Sequence, residues 1–359
     1  MKYQTKSASG RKRSFYLFLF MEKMMDKLRE EIRLALPSKG RLAEEALDLL
    51  ANAGLRVFKP NPRQYKAIIP SLPGLTVLFQ RPGDIVVSVR DGSVDFGITG
   101  WDIYSERQNG HYDLLVLTND LGIGVCTLNA IVPEALDKVN RMADLAEWQN
   151  QLGRSLRVAT KFPQISRNFF QLHGLPDVEI ITSEGTLEIA PTIGYADMII
   201  DLISTGTTLR DNRLKALEDG LVLRSQGCLI ANRTALKGQP GTLSMARQLL
   251  EFIVAYLRGS ENVSIFANIR GESAEAVAQA MFSKSLIGGL QGPTISRVLT
   301  RDSSQGWFDA HIIIRKDQLA QAIAEIRQVG GSGLVVSPVT YIFEEEPQAY
   351  RAMLKALQE

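Results

Sequence analysis

From Asp201 to Leu209 the chain reads Asp-Leu-Ile-Ser-Thr-Gly-Thr-Thr-Leu, an acid followed by four hydroxyl side chains around one glycine. Ser204, Thr205, Thr207 and Thr208 can donate through their hydroxyls, and Gly206 can take a positive φ that lets a ligand approach the main chain. After the apolar run Met198 to Ile200, the segment is expected to be a strand whose carboxyl-terminal turn cradles phosphate. The N–H groups of a helix opening at Leu209 would point at the anion. A hydroxyl-rich helix N-cap without a ligand fits the same residues. Asp201 favours the ligand, because a carboxylate just upstream of such a turn can contact a ribose hydroxyl or a metal.

Other chemistries find few residues. His111, His173 and His311 are scattered singly, with no Cys or His neighbour at ligand spacing, which argues against a zinc site or a histidine-based triad. Cys126 and Cys228 form no CxxC pair, so no disulfide framework is indicated and a reducing cytoplasm is the expected compartment. A formal net charge of +2 over 359 residues is too small to call for nucleic acid. The run Phe15 to Phe20 is too short to cross a bilayer, and no small-residue cleavage site follows it, so residues 1–30 are expected to be a flexible extension. An organelle-targeting peptide is the alternative reading of that segment.

The elements that must hold the phosphate turn are legible as a repeat. Arg33 to Gly40 is an apolar strand ending in small and basic residues, followed by an amphipathic helix with Leu42, Ala46, Leu49 and Leu50 that stops at Gly54. Arg157 to Lys161 repeats the plan, with a helix carrying Ile165, Phe169 and Phe170 that stops at Gly174. A second echo pairs Gly92 to Ile98 with Gly194 to Ile200, each a glycine, an acid and a buried strand. The composition, 45% hydrophobic and 22% charged, suits such a globular chain, and its length calls for more than one core. Two α/β lobes facing one another are expected, with ligands at the carboxyl ends of the strands. Lys39, Thr99, Gly100, Thr160 and the Ser204 to Thr208 turn would line one cleft.

Gly122 to Val125 is expected to cross to the second lobe and Cys228 to Ile230 to return, a two-crossing topology like that of type II periplasmic binding proteins. The helix carrying Leu249, Leu250, Phe252, Ile253 and Leu257 would then pack back on the first lobe. The expected divisions are 31–121 with 231–258 for the first lobe, 122–230 for the second and 259–359 for a C-terminal domain. In that last part Val263, Ile265, Ala267 and Ile269 alternate as a half-buried strand opening a ferredoxin-like βαββαβ pattern. A domain of this kind suggests regulation, or oligomer assembly.

The chain resembles the long form of ATP phosphoribosyltransferase. The likeness runs from about Ile32 to Phe343 and rests on six segments in order: Leu36 to Leu42, Arg81 to Ile85, Asp95 to Gly100, Val158 to Pro163, Leu187 to Pro191, and Ala196 to Asp201 leading into Ser204-Thr205-Gly206. The resemblance implies condensation of ATP with phosphoribosyl pyrophosphate, in which adenine N1 attacks the anomeric carbon and pyrophosphate leaves. This would be the first step of histidine biosynthesis. Magnesium would accompany the pyrophosphate, and no protein nucleophile is needed, only positioning and leaving-group stabilisation.

On that resemblance the donor's 5-phosphate goes to the Ser204 to Thr208 turn and its ribose hydroxyls to Asp201 with Glu188, though Glu188 also fits a helix N-terminal acid. Lys39, Arg41 and Arg81 would neutralise pyrophosphate or ATP phosphates, while Thr99, Gly100 and Thr160 offer backbone or hydroxyl donors. Asp95 and Asp197 are expected to fix loops rather than touch substrate. The C-terminal domain resembles the family's histidine-binding module, with Thr294 and Ser332 as hydroxyl partners of the inhibitor. Asn268 stands there where some members carry an acid, and Arg297-Val298 where others have Pro-Leu. The likeness also implies dimers that assemble to hexamers, without a separate regulatory subunit. A two-lobed solute-binding module without catalysis is the competing expectation.

Overall fold

The computed structural model describes residues 31–358 apart from 62–63, Asn109, Thr205 and 301–305. The expected N-terminal extension lies outside the described residues, and so does Thr205. In chain order the elements are β1 (Ile32–Pro37), α1 (Arg41–Asn52), β2 (Lys66–Ile68), β3 (Leu75–Gln80), α2 (Pro82–Arg90), β4 (Phe96–Gly100), α3 (Trp101–Arg107), β5 (Leu114–Thr118), β6 (Cys126–Pro133), α4 (Met142–Leu152), β7 (Arg157–Thr160), α5 (Pro163–Leu172), β8 (Glu179–Thr182), β9 (Met198–Ile203), α6 (Thr207–Asp211), β10 (Leu214–Ser225) and β11 (Gly227–Asn232). Then come α7 (Arg233–Gly238), α8 (Thr242–Ser260), β12 (Asn262–Arg270), α9 (Ala274–Phe282), β13 (Thr294–Arg297), β14 (Trp307–Arg315), α10 (Leu319–Gln328), β15 (Gly331–Pro338) and α11 (Gln348–Gln358).

One compact unit holds both lobes. Its first sheet runs β2-β3-β1-β4-β11-β5 and its second β10-β6-β9-β7-β8. β1 pairs in parallel with β3 and β4, and β7 in parallel with β8 and β9, so each sheet contains three parallel strands extended by antiparallel ones. Such strands are apolar on both faces because helices cover both, and β1 is buried at nearly every position. Ala43, Ala46, Leu49 and Leu50 form the buried stripe of α1, and Ser166, Phe169 and Phe170 that of α5.

The repeat seen in the sequence is also a repeat of contacts. Arg33 N–H donates to the Asp95 carboxylate at 2.8 Å while Asp95 N–H returns a bond to the Arg33 carbonyl at 3.1 Å. In the second lobe Arg157 N–H donates to Asp197 at 2.9 Å, and Asp197 N–H donates to the Arg157 carbonyl at 2.8 Å. Each aspartate therefore closes the start of one central strand against the next, the loop-fixing role expected of both. Asp197 also takes the guanidinium of Arg154 at 2.6 and 2.8 Å and that of Arg157 at 3.0 Å.

Three boundaries differ from expectation. The return crossing is complete before Gly227, because β11 is hydrogen-bonded between β4 and β5 in the first sheet, so the second lobe ends short of residue 230. Apolar composition alone does not say which sheet an antiparallel return strand joins. The second unit comprises residues 52–54 and 248–351, so α8 from Gln248 onward groups with it rather than with the first lobe. There Phe252 packs edge-on against Tyr341 and Phe343. Residues 352–358, expected in the C-terminal domain, group with the first unit.

The second unit contains the βαββαβ sheet in the order β13-β14-β12-β15, the ferredoxin-like arrangement. Val263, Ile265, Ala267 and Ile269 pack with Phe308, Ala310, Ile312 and Ile314, and with Val277, Met281, Ala322 and Ile326 of α9 and α10. The alternate residues lie on the other face.

Burial works to raise the Asp197 carboxyl, but the Arg154 and Arg157 hydrogen bonds outweigh it and hold the group well below the usual aspartate range. A carboxyl held low stabilises the fold above its ordinary pKa, and that contribution drains away as pH falls below it. Asp197→Asn is expected to cost about 2 kcal/mol at neutral pH. Urea unfolding of both proteins should show the difference narrowing below about pH 4.

Candidate functional site

The turn after β9 is built as its residues require. Gly206 is the N-cap of α6 at φ 73°, and no side chain caps that end. A Cβ added at Gly206 would meet no atom within 4 Å, so the constraint is backbone conformation and the side facing away from the fold is open. Ser204 and Thr208 are exposed. A cavity of about 160 Å³ lies against the turn, lined by Asp201, Ser204, Gly206 and Thr208 together with Glu188. Glu188 comes from a short 3-10 turn, Leu187–Ile189, so two carboxylates from separate segments face one space.

Burial raises the Asp201 carboxyl above the ordinary aspartate range, and the charge of Glu188 raises it further. The Leu202 N–H, which donates to Asp201 at 2.8 Å, and the charge of Lys161 work in the opposite direction. Lys161 follows the last residue of β7 and is exposed. It is a cation beside the two acids that sequence reading quoted within a motif but did not assign to the site. Its signal was available, since β7 and β9 are parallel neighbours and their carboxyl ends share an edge.

On the first lobe, the ends of β1 and β3 lie side by side, with Pro37 opposite Gln80 and Ser38 N–H donating to the Gln80 carbonyl at 2.8 Å. That register brings Lys39 and Arg81 to neighbouring strand ends, both exposed. Arg41 is differently employed. Its guanidinium donates to the Val125 carbonyl at 3.0 Å and pairs with Glu45 at 3.5 Å, and Glu45 in turn accepts the Gly124 N–H. Arg41 thus braces the first crossing between the lobes.

Three expected donors are committed elsewhere. Thr99 is fully buried and its hydroxyl donates to the Pro82 carbonyl at 3.1 Å. Thr160 is also fully buried, its hydroxyl accepting the Phe162 N–H at 3.0 Å. Gly100 is the last residue of β4, buried and paired with Gly227 across the return crossing. Thr160 holds its own turn and Thr99 ties the end of β4 to the start of α2, uses that a local sequence pattern cannot distinguish from holding a ligand.

In the C-terminal sheet, Asn268 pairs with Asp309 on one side and Ser332 on the other, and Thr294 sits opposite His311. The three expected effector residues therefore share the face away from the helices. The His311 ring stacks on Phe266 at 4.3 Å, and its Nε2 is 2.7 Å from the Ser264 hydroxyl.

Among the described residues, no group of three or more His, Cys, Asp or Glu could hold a metal, and no helix is long and apolar enough to cross a membrane. A glycine turn beside two acids on one lobe, exposed cations on the other and a ferredoxin-like domain after them describe a two-lobed α/β protein with polar strand ends. The family profile described as HisG, ATP phosphoribosyltransferase, matches residues 81–257, and that of the HisG C-terminal domain matches residues 260–341. The chloroplastic ATP phosphoribosyltransferase 2 of Arabidopsis thaliana is 42% identical over 337 residues, covering 92% of this chain and 81% of its own length. An ATP phosphoribosyltransferase of Rhodopseudomonas palustris is 33% identical over 318 residues, 87% of this chain and 94% of its own. A solved Thermotoga maritima ATP phosphoribosyl transferase (HisG:HisZ) complex shows 22% identity and a TM-score of 0.49, covering 62% of this chain and 98% of that one.

The chain belongs to the ATP phosphoribosyltransferase family, in its long form with the C-terminal domain. It is a glycosyltransferase of the first step of histidine biosynthesis, and the reading as a solute-binding module falls away.

A carboxyl raised by burial binds its proton more readily in the folded state, so its ionisation weakens the fold as pH rises through its pKa. Ligand-free Asp201→Asn is therefore expected to melt above the wild type at pH 7. Thermal unfolding across pH should show the gap closing toward about pH 4, where both side chains are neutral.

Proposed function

We propose that phosphoribosyl pyrophosphate is held by the second lobe and that ATP attacks it from the first. The observation that carries this reading is the open turn at Gly206, which shares one cavity with Asp201 and Glu188. The 5-phosphate would meet the turn's N–H groups and the hydroxyls of Ser204, Thr207 and Thr208, while Asp201 and Glu188 accept the ribose hydroxyls. Lys161 favours the charged form of Asp201. Lys39 and Arg81 would meet pyrophosphate or the ATP phosphates, while Arg41 braces the first crossing between the lobes.

The bond from N1 of adenine to the anomeric carbon forms as the bond from that carbon to pyrophosphate breaks, and positive charge develops on the ribose. Two acids beside the ribose favour that charge, and cations at the polyphosphate favour departure of pyrophosphate. Asp201 and Glu188 suit magnesium as oxygen donors, two carboxylates being a usual complement when substrate phosphates supply the rest. When bound, the ion would neutralise charge on the leaving group.

Feedback inhibition by histidine belongs to the same proposal. Asn268, Thr294 and Ser332 offer polar partners on one sheet face, and Asp309 beside Asn268 supplies a carboxylate where Asn268 does not. Assembly to dimers and hexamers, and independence from a separate regulatory subunit, accompany the presence of that domain. Both cysteines are free, in keeping with a reducing compartment, the cytoplasm in our reading, although the Arabidopsis relatives are named as chloroplastic.

Purified chain supplied with ATP, phosphoribosyl pyrophosphate and magnesium should release pyrophosphate, and release should stop when any one is omitted. Gly206→Val forces a β-branched residue into the left-handed region and should weaken donor binding by about a hundredfold, read by calorimetry. Unchanged affinity would place the phosphate elsewhere. Thr294→Val should raise the histidine concentration for half-inhibition about tenfold through one lost hydrogen bond.

A further inference from the structure

Two lobes joined by two crossings ordinarily open and close about those crossings. In this protein a third connection, which is not covalent, runs through α3. Its first residues close on the return crossing, where Trp101 N–H donates to the Gln226 carbonyl at 2.8 Å. Asp102 N–H donates to the Ser225 hydroxyl at 2.9 Å, and that hydroxyl donates back to the Asp102 carboxylate at 2.7 Å. The next residue, Ile103, packs against the buried clusters of both lobes. At its far end Glu106 reaches the N-terminus of α5 in the second lobe. Gln164 N–H donates to the two carboxylate oxygens at 2.9 and 3.1 Å, and Ile165 N–H donates to one of them at 3.0 Å.

Those N–H groups are among the orphan donors of a helix that begins with Pro163, which has no N–H of its own. In a two-lobed fold a helix N-terminus at the strand ends is where an anionic ligand would bind. Here that place is taken by a carboxylate of the opposite lobe.

We infer that α3 is a strut that sets the angle between the lobes, and that Glu106 is a positioning residue for the transfer step. With α3 seated at both ends, the phosphate turn of the second lobe and the cations of the first face each other before any ligand arrives. Both sheets fall within one compact unit, as lobes joined by a strut should. The inference rests on the reading that donor and acceptor are held by different lobes. A strut of this kind raises the fraction of bound pairs in attacking geometry, without touching either substrate.

The test uses the full chain with Glu106→Ala and Glu106→Gln, the second keeping one carbonyl acceptor and the size of the side chain. Pyrophosphate release gives kcat and KM, calorimetry gives the affinity for phosphoribosyl pyrophosphate, and small-angle X-ray scattering gives the spread of ligand-free shapes. The alanine variant should lose about tenfold to a hundredfold in kcat, with KM and donor affinity within about twofold of wild type and a broader distance distribution. Glu106→Gln should fall between the two. Unchanged kcat with unchanged scattering would overturn the strut. A donor affinity rising or falling about tenfold at constant kcat would also overturn it, because Glu106 would then be a competitor for, or a part of, the anion site. If wild type neither turns over nor binds donor, the function proposed above fails, and the scattering comparison alone still decides whether α3 fixes the lobes.

Discussion

The two sheets of the first unit are linked covalently by two short crossings, and their mutual closure is the constraint on which the site depends. Gly227 N–H donates to the Ile123 carbonyl at 2.6 Å, and Gln226 accepts the Gly122 N–H at 2.9 Å while its amide donates to Asp120 at 3.0 Å. A Cβ at Gly227 would stand 2.6 Å from Ile123, so the approach of the two crossings requires glycine there. From this closed pair radiate the contacts of Arg41 and Glu45 at one crossing and of Trp101 and Asp102 at the other. The candidate site residues sit at strand ends, but what those ends face is decided at the crossings.

The chemistry of the family explains why so much of the structure serves placement. Displacement at an anomeric carbon by a ring nitrogen needs no protein nucleophile, and its rate comes from alignment and from charge set in advance. Main-chain donors, two carboxylates and a few cations suffice if they are held still. Thr99, Thr160 and Arg41, each drawn into bracing turns or crossings, belong to that holding function.

Much of this was legible in the chain. The paired echoes of Arg33 with Asp95 and of Arg157 with Asp197 are local patterns, and both aspartates do close neighbouring strands. The βαββαβ domain and the turn at Gly206 were equally legible, because strand alternation, glycine and hydroxyl clustering are properties of consecutive residues. What sequence could not supply was partnership over distance. β11 is as apolar as a strand of either lobe, and only its pairing with β4 and β5 assigns it. A threonine at a strand end looks the same whether it bonds its own turn or a ligand. Glu106 carries no motif at all, and its importance arises where α3 meets α5, 58 residues on.

Asp197 and Asp201 show how differently two nearby positions can use the same side chain. Asp197 precedes β9 and is 10% exposed, yet two guanidinium groups keep it ionised, so the charge is spent within the fold. Asp201 lies four residues on, where burial works against ionisation and Lys161 is the cation that favours it. A carboxylate whose burial outweighs the groups that favour its charge gains from hydroxyls that arrive with a substrate, and its desolvation is a cost the fold bears until they do. Replacing Asp197 removes a completed interaction, whereas replacing Asp201 removes an incomplete one. The two aspartates, one just before β9 and one within it, are therefore told apart by the sign of their effect on the stability of the protein.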